Sequence, residues 1–111
     1  MYKQDFKIKR GETFIKDIIF KVKDELVDLT GYTAKSEIRP SLESNELIAE
    51  ITCEITPKKG LVQLQLSKEQ TSQIEAGKYF YDLCLTKDDV NTYYLQGRFI
   101  VDKYVTEPPN V

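Results

Sequence analysis

The chain has no histidine and no tryptophan, and only two cysteines, one methionine, five glycines and four prolines among 111 residues. Without histidine, the commonest general base and the commonest metal ligand are both missing. Two cysteines outside any CxxC spacing form no zinc site. Cys53 belongs to the alternation Leu47, Ala49, Ile51, Cys53 and is expected to face the core, whereas Cys84, between Leu83 and Leu85, points away from it. Opposite faces do not give the Cα separation of about 4.4–6.8 Å that a disulfide needs. Both thiols are therefore expected free, in a reducing compartment. No apolar run approaches the roughly 18 residues of a membrane helix, and Met1-Tyr2-Lys3-Gln4-Asp5 opens no signal peptide. Neither charge sign dominates: 16 basic and 18 acidic side chains give a net charge of −2 and no footprint for nucleic acid. No membrane partner is expected either.

What the chain does have is apolar side chains in a regular pattern. Leu, Ile, Val and Phe make up 32 of the 111 residues, above the ~20% below which a chain fails to build a core. The length suits one domain, residues 1–106, followed by an extended tail at 107–111, Glu-Pro-Pro-Asn-Val. The dominant period is two. Phe14, Ile18, Phe20 and Val22 share one face of a long segment that only Lys16 interrupts. Ala34, Ser36 and Ile38 alternate with Lys35, Glu37 and Arg39. Leu47 to Ile55 alternates, as do Val62, Leu64 and Leu66; Tyr79, Tyr81, Leu83 and Leu85; and Tyr93, Leu95, Gly97, Phe99 and Val101. With a short strand around Phe6 and Ile8 this predicts about seven strands in an all-β, antiparallel, immunoglobulin-like sandwich. Pro40 and Pro57 end strands because proline cannot donate to a ladder. Residues 40–46 form the longest polar loop, and Lys87–Asn91 forms a second. One short helix of about eight residues is expected: Ser67-Lys68-Glu69-Gln70 is its capping box, Gly77 stops it, and Ile74 plugs one end of the sandwich.

The segment Gly77-Lys78-Tyr79-Phe80-Tyr81 fits a tyrosine corner, in which a tyrosine two residues after a glycine bonds back to the chain upstream. Gly77, Tyr79 and Tyr81 are accordingly read as structural, with Tyr81 filling the place an antibody domain gives to its second disulfide cysteine. Three further runs precede this corner in the chain: Arg10-Gly11-Glu12-Thr13-Phe14, Asp28-Leu29-Thr30-Gly31-Tyr32-Thr33-Ala34 and Leu66-Ser67-Lys68-Glu69-Gln70-Thr71. With the corner and Leu95-Gln96-Gly97 after it, this order resembles the small immunoglobulin-like domains of tailed phages and prophages. Among these it resembles the N-terminal domain of siphophage baseplate upper proteins and related tail-associated proteins. The resemblance covers nearly the whole chain. It implies a non-enzymatic structural or assembly protein, tail- or baseplate-associated, made in the host cytoplasm and built into the virion. Its partners would be further copies of itself or other phage structural proteins.

The residues themselves argue against catalysis. Asp24, Glu25, Asp28, Asp82, Asp88 and Asp89 lie in turns or alternate outward with lysines, the pattern of a solvated face rather than of a paired acid and base. There is no phosphate-binding glycine loop, no G-x-S-x-G elbow and no spaced oxygen set for calcium. No cofactor and no metal is expected. Outward parity places Phe80 and Cys84 on one strand and Tyr94 and Ile100 on the next, a candidate interface. With opposed residue numbers adding to 180, Tyr81 would face Phe99, Asp82 would face Arg98 and Phe80 would face Ile100. The alternative function is a carbohydrate- or surface-binding module stacking sugars on exposed tyrosines such as Tyr2, Tyr32, Tyr93, Tyr94 and Tyr104.

Overall fold

Alternating segments become strands where one face can be buried. The computed structural model describes residues 2–109, and these form ten strands and one α-helix. In chain order the strands are β1 (Tyr2–Lys3), β2 (Phe6–Lys9), β3 (Phe14–Ile19), β4 (Lys21–Val22), β5 (Glu25–Leu26), β6 (Thr33–Arg39), β7 (Ala49–Thr56), β8 (Leu61–Leu66), β9 (Gly77–Lys87) and β10 (Val90–Asp102). A 3-10 turn, Pro57–Lys59, follows β7, and helix α1 (Lys68–Ser72) precedes β9. All seven expected strands are present. The three others, β1, β4 and β5, are two residues each, too short to leave a periodic signal.

The result is an all-β, sandwich-like fold. One layer runs from β1 and β2 through β10, β9 and β6 to β7; the other holds β7, β8 and β3. Strand β7 belongs to both: Ala49–Ile51 pair with β6 and Thr52–Thr56 with β8. The layers are thus one curled sheet. It is mixed rather than wholly antiparallel, because β1 and β2 both run parallel to β10. Between the layers Phe6, Phe14, Tyr81 and Phe99 pack ring against ring, with centroids 4.9 Å apart for Phe6–Tyr81 and 5.1 Å for Phe14–Phe99. Ile38, Leu64 and Leu83 are fully buried beside them. Burial of each such side chain is worth about 1.5–3 kcal/mol.

Several expectations need correction. The segment 14–22 is not one strand. Lys23 and Asp24 take positive φ (52° and 66°), forming a tight β4–β5 hairpin that leaves Val22 63% exposed. Leu47 is also exposed, because β7 starts only at Ala49. Lys87–Asn91 is no loop. Asp88 and Asp89, again at positive φ, close a two-residue turn directly between β9 and β10. The β9–β10 register then shifts at a bulge: Tyr93 faces Cys84 but Leu95 faces Leu83, so Tyr94 is the extra residue. Beyond it opposed numbers add to 178, so Phe99 faces Tyr79, Asp82 faces Gln96 and Phe80 faces Arg98. A shift of two keeps every residue beyond the bulge on its expected face. Tyr93 does change: it lies opposite outward Cys84 and is half exposed instead of core-facing.

The helix is five residues, not eight. Both halves of its capping box form, Ser67 Oγ accepting from Gln70 N–H and Gln70 Oε1 from Ser67 N–H. The helix stops early because Ile74 leaves it to be buried in the core, while the Arg10 guanidinium donates to Ser72 O at 3.0 Å. Gly77 starts β9 rather than ending the helix. Of the expected tail, Glu107–Pro109 carry no strand or helix, and Asn110 and Val111 lie outside the described residues, as does Met1.

Candidate functional site

The corner residues come together as a structural lock. Tyr79 Oη donates to Glu75 O at 2.7 Å, four residues upstream, the bond that defines a tyrosine corner. Burial, and then the nearby Glu75, raises the Tyr79 phenol above its ordinary value. Tyr81 Oη donates to Gln4 O at 2.6 Å, tying the N-terminal segment to the core, and burial pushes this phenol up as well. That segment crosses β10 at Gly97, opposite Tyr81. A Cβ on Gly97 would sit 2.0 Å from Gln4 O, so only glycine fits there. Gly77 is under no such constraint, since a Cβ there would meet the Tyr79 ring at 3.6 Å.

The four residues read as an interface do not form one patch. Phe80, half buried, has Arg39 directly on one side and Arg98 on the other. Arginine stems cover apolar surface well. Ile100 lies between Lys78 and Lys7, and Cys84 between Lys35 and Tyr93. Tyr94 leaves this face altogether. The bulge turns it inward, where its ring packs edge-on against Phe20 from the other layer at 5.4 Å. Charges lie among them: Glu37 pairs with Arg39 at 3.0 Å and stands directly opposite Asp82. Burial first, and then repulsion from Glu37, raises the Asp82 carboxyl above its ordinary value. Both cysteines are free, and burial pushes the Cys53 thiol up to about 11, which leaves it protonated and unreactive.

The exposed apolar surface lies elsewhere. A groove of about 810 Å³ opens between the two layers where β3 and β4 face β1 and the bulged part of β10. Its floor is apolar, with Ile18, Phe20, Leu29, Leu85, Tyr94 and Leu95. On its rim Tyr2, Ile19 and Val22 are exposed by 75%, 57% and 63%. Lysines 3, 16 and 21 line it against a single acid, Asp17. The signal for it in the sequence was slight: Lys16 breaking an apolar face, with Ile15 and Ile19 on the wrong parity for a core. Among the described residues no group of three or more His, Cys, Asp or Glu side chains could hold a metal ion.

No protein-family model and no curated protein matches the chain. Solved structures do. The N-terminal domain of phage TP901-1 ORF48 superposes with a TM-score of 0.54 at 9% identity, over 93% of this chain and all of that one. CopC from Methylosinus trichosporium OB3b gives 0.53 at 13%, over 94% of this chain and 89% of that one. At such identities the likeness is one of fold. Two proteins with such different names share it, so the fold alone assigns no function.

Proposed function

We propose that this chain is a non-enzymatic assembly module of a phage particle, tail- or baseplate-associated, acting through protein–protein contacts. It is made in the host cytoplasm and becomes part of the virion. The observation that carries this reading is the groove: an apolar floor with a rim of exposed Tyr2, Ile19 and Val22. Large exposed apolar surface on a small domain marks a contact site. The full-length match to a phage N-terminal domain supports placing that contact in a phage particle. The test is mass spectrometry of purified particles from a lysogen carrying this gene. The chain should appear at a fixed ratio to the tail proteins. Its absence from particles would overturn the reading, and selective binding to a glycan array would favour the carbohydrate-binding alternative.

A further inference from the structure

The walls of the groove are strand edges. Strand β3 pairs with β8 alone, and among the described residues no other backbone hydrogen bond engages Phe14–Ile19. Across the opening, among the described residues, β10 gains parallel partners only from Leu95 onward, leaving the outer edge of Val90–Tyr94 without a strand. A free edge beside an apolar floor accepts an added strand, whose backbone completes the ladder while alternate side chains enter the floor.

Lys16 decides which strand. It shares the inward parity of Phe14 and Ile18 and lies directly opposite fully buried Leu64. Among the described residues it has no ion-pair partner. Asp17 does not serve it, being on the outer face where it accepts from Gln63 Nε2 at 2.9 Å. Lys3 and Lys21 add two more positive charges at the groove. A wholly apolar strand laid along β3 would strand this ammonium in a closing, poorly hydrated site, which is costly. A strand bringing a carboxylate opposite it would pair it. A second copy of this chain fits poorly for the same reason. Two β3 edges paired antiparallel about a two-fold, in the registers that preserve the faces, set Lys16 opposite Phe14, Ile18, Phe20 or itself and never opposite a carboxylate, because Asp17 has the other parity. Like charges directly opposite are destabilising.

We infer that the groove takes an extended, alternately apolar segment of another protein, added along β3, with an acidic side chain set against Lys16. This rests on the reading of the chain as a protein-contact module and names the chemistry of its partner.

The probe is a capped nine-residue peptide of alternating valine and threonine with glutamate at its centre, alongside twins centred on lysine and on glutamine. Each is titrated into the full chain, with hydrogen exchange read residue by residue. The glutamate peptide is expected to bind at least about tenfold tighter than the lysine peptide and to slow exchange of alternate β3 amides. Lys16→Glu should reverse that order, and Lys16→Gln, which keeps the stem and the fold, should erase it. Equal affinities, protection away from β3, or no binding by any peptide at millimolar concentration would each overturn the inference. If the peptides fail but the chain is still found in particles, the assembly reading stands and the groove chemistry falls. If peptide selectivity holds and the chain is absent from particles, the reverse is true.

Discussion

Gly97→Ala is the sharpest probe of how the N-terminal segment is held. The new Cβ would lie 2.0 Å from Gln4 O and 2.6 Å from Gln4 C, both main-chain atoms, so the segment must move by more than an ångström. Three hydrogen bonds depend on its position: Gln4 N–H to Gln96 O at 2.9 Å, Tyr81 Oη–H to Gln4 O at 2.6 Å, and Arg98 N–H to Asp5 Oδ1 at 2.9 Å. At ~1 kcal/mol net for each, their loss costs about 2–3 kcal/mol. That holds if β1 peels away while Phe6 and Ile8 of β2 stay buried; loss of β2 as well would add about 1.5–3 kcal/mol for each of those side chains. Urea denaturation measures the sum, and a double-mutant cycle separates the parts. Tyr81→Phe alone should cost ~1 kcal/mol, and in the Gly97→Ala background close to nothing, because its acceptor has already moved. A Gly97→Ala protein within about 0.5 kcal/mol of wild type, or strictly additive single effects, would refute the reasoning.

Three further outcomes follow from the geometry. Tyr79→Phe, which deletes the corner bond to Glu75 O, should lower stability by about 1 kcal/mol in urea titrations. Ser67→Ala removes one half of the capping box and should cost ~1 kcal/mol, with exchange speeding first at the Gln70 amide that Ser67 Oγ accepts from. Asp82→Asn should stabilise the protein at neutral pH by a few tenths of a kcal/mol, since it removes a like-charge pair with Glu37. The sign is set by the raised carboxyl: the folded state holds this proton more tightly than the unfolded chain, so wild type regains stability as pH falls through the raised value. The advantage of Asp82→Asn should therefore shrink on acidification and vanish below the ordinary carboxylate range near 3.8.

The faces of the long strands were legible because burial imposes a strict period of two, and a register error of two residues leaves that period untouched. The tyrosine corner was legible because a glycine, a tyrosine and a helical turn must fall at fixed spacing. The bulge was not. Tyr94 carries no glycine or other mark, and its inward turn is decided by Phe20, some seventy residues earlier in the chain. The hairpin at Lys23-Asp24 was missed, and the tight turn at Asp88-Asp89 was read as a longer loop, because residues other than glycine hold the positive φ there. The groove escaped for a third reason. Its walls come from residues 2–4, 16–22 and 94–95, and no local pattern joins segments so far apart. The hints were slight: Lys16, a charge where the alternation asked for an apolar side chain, and Ile15 and Ile19 on the outward parity beside it.

The parallel pairing of β2 with β10 also sets how the molecule answers a pull. Phe6 lies beside Phe99 and Lys9 beside Asp102, so the two strands run the same way. Tension applied before Phe6 and after Asp102 draws them past each other lengthwise. Every bond of that ladder is then strained at once, together with the Tyr81 tether to Gln4. The antiparallel β9–β10 hairpin pulled apart at its open end would instead yield one bond at a time. Stretched along its chain, the domain should resist in shear and give way abruptly, with β2 and β10 parting before the curled sheet behind them unravels.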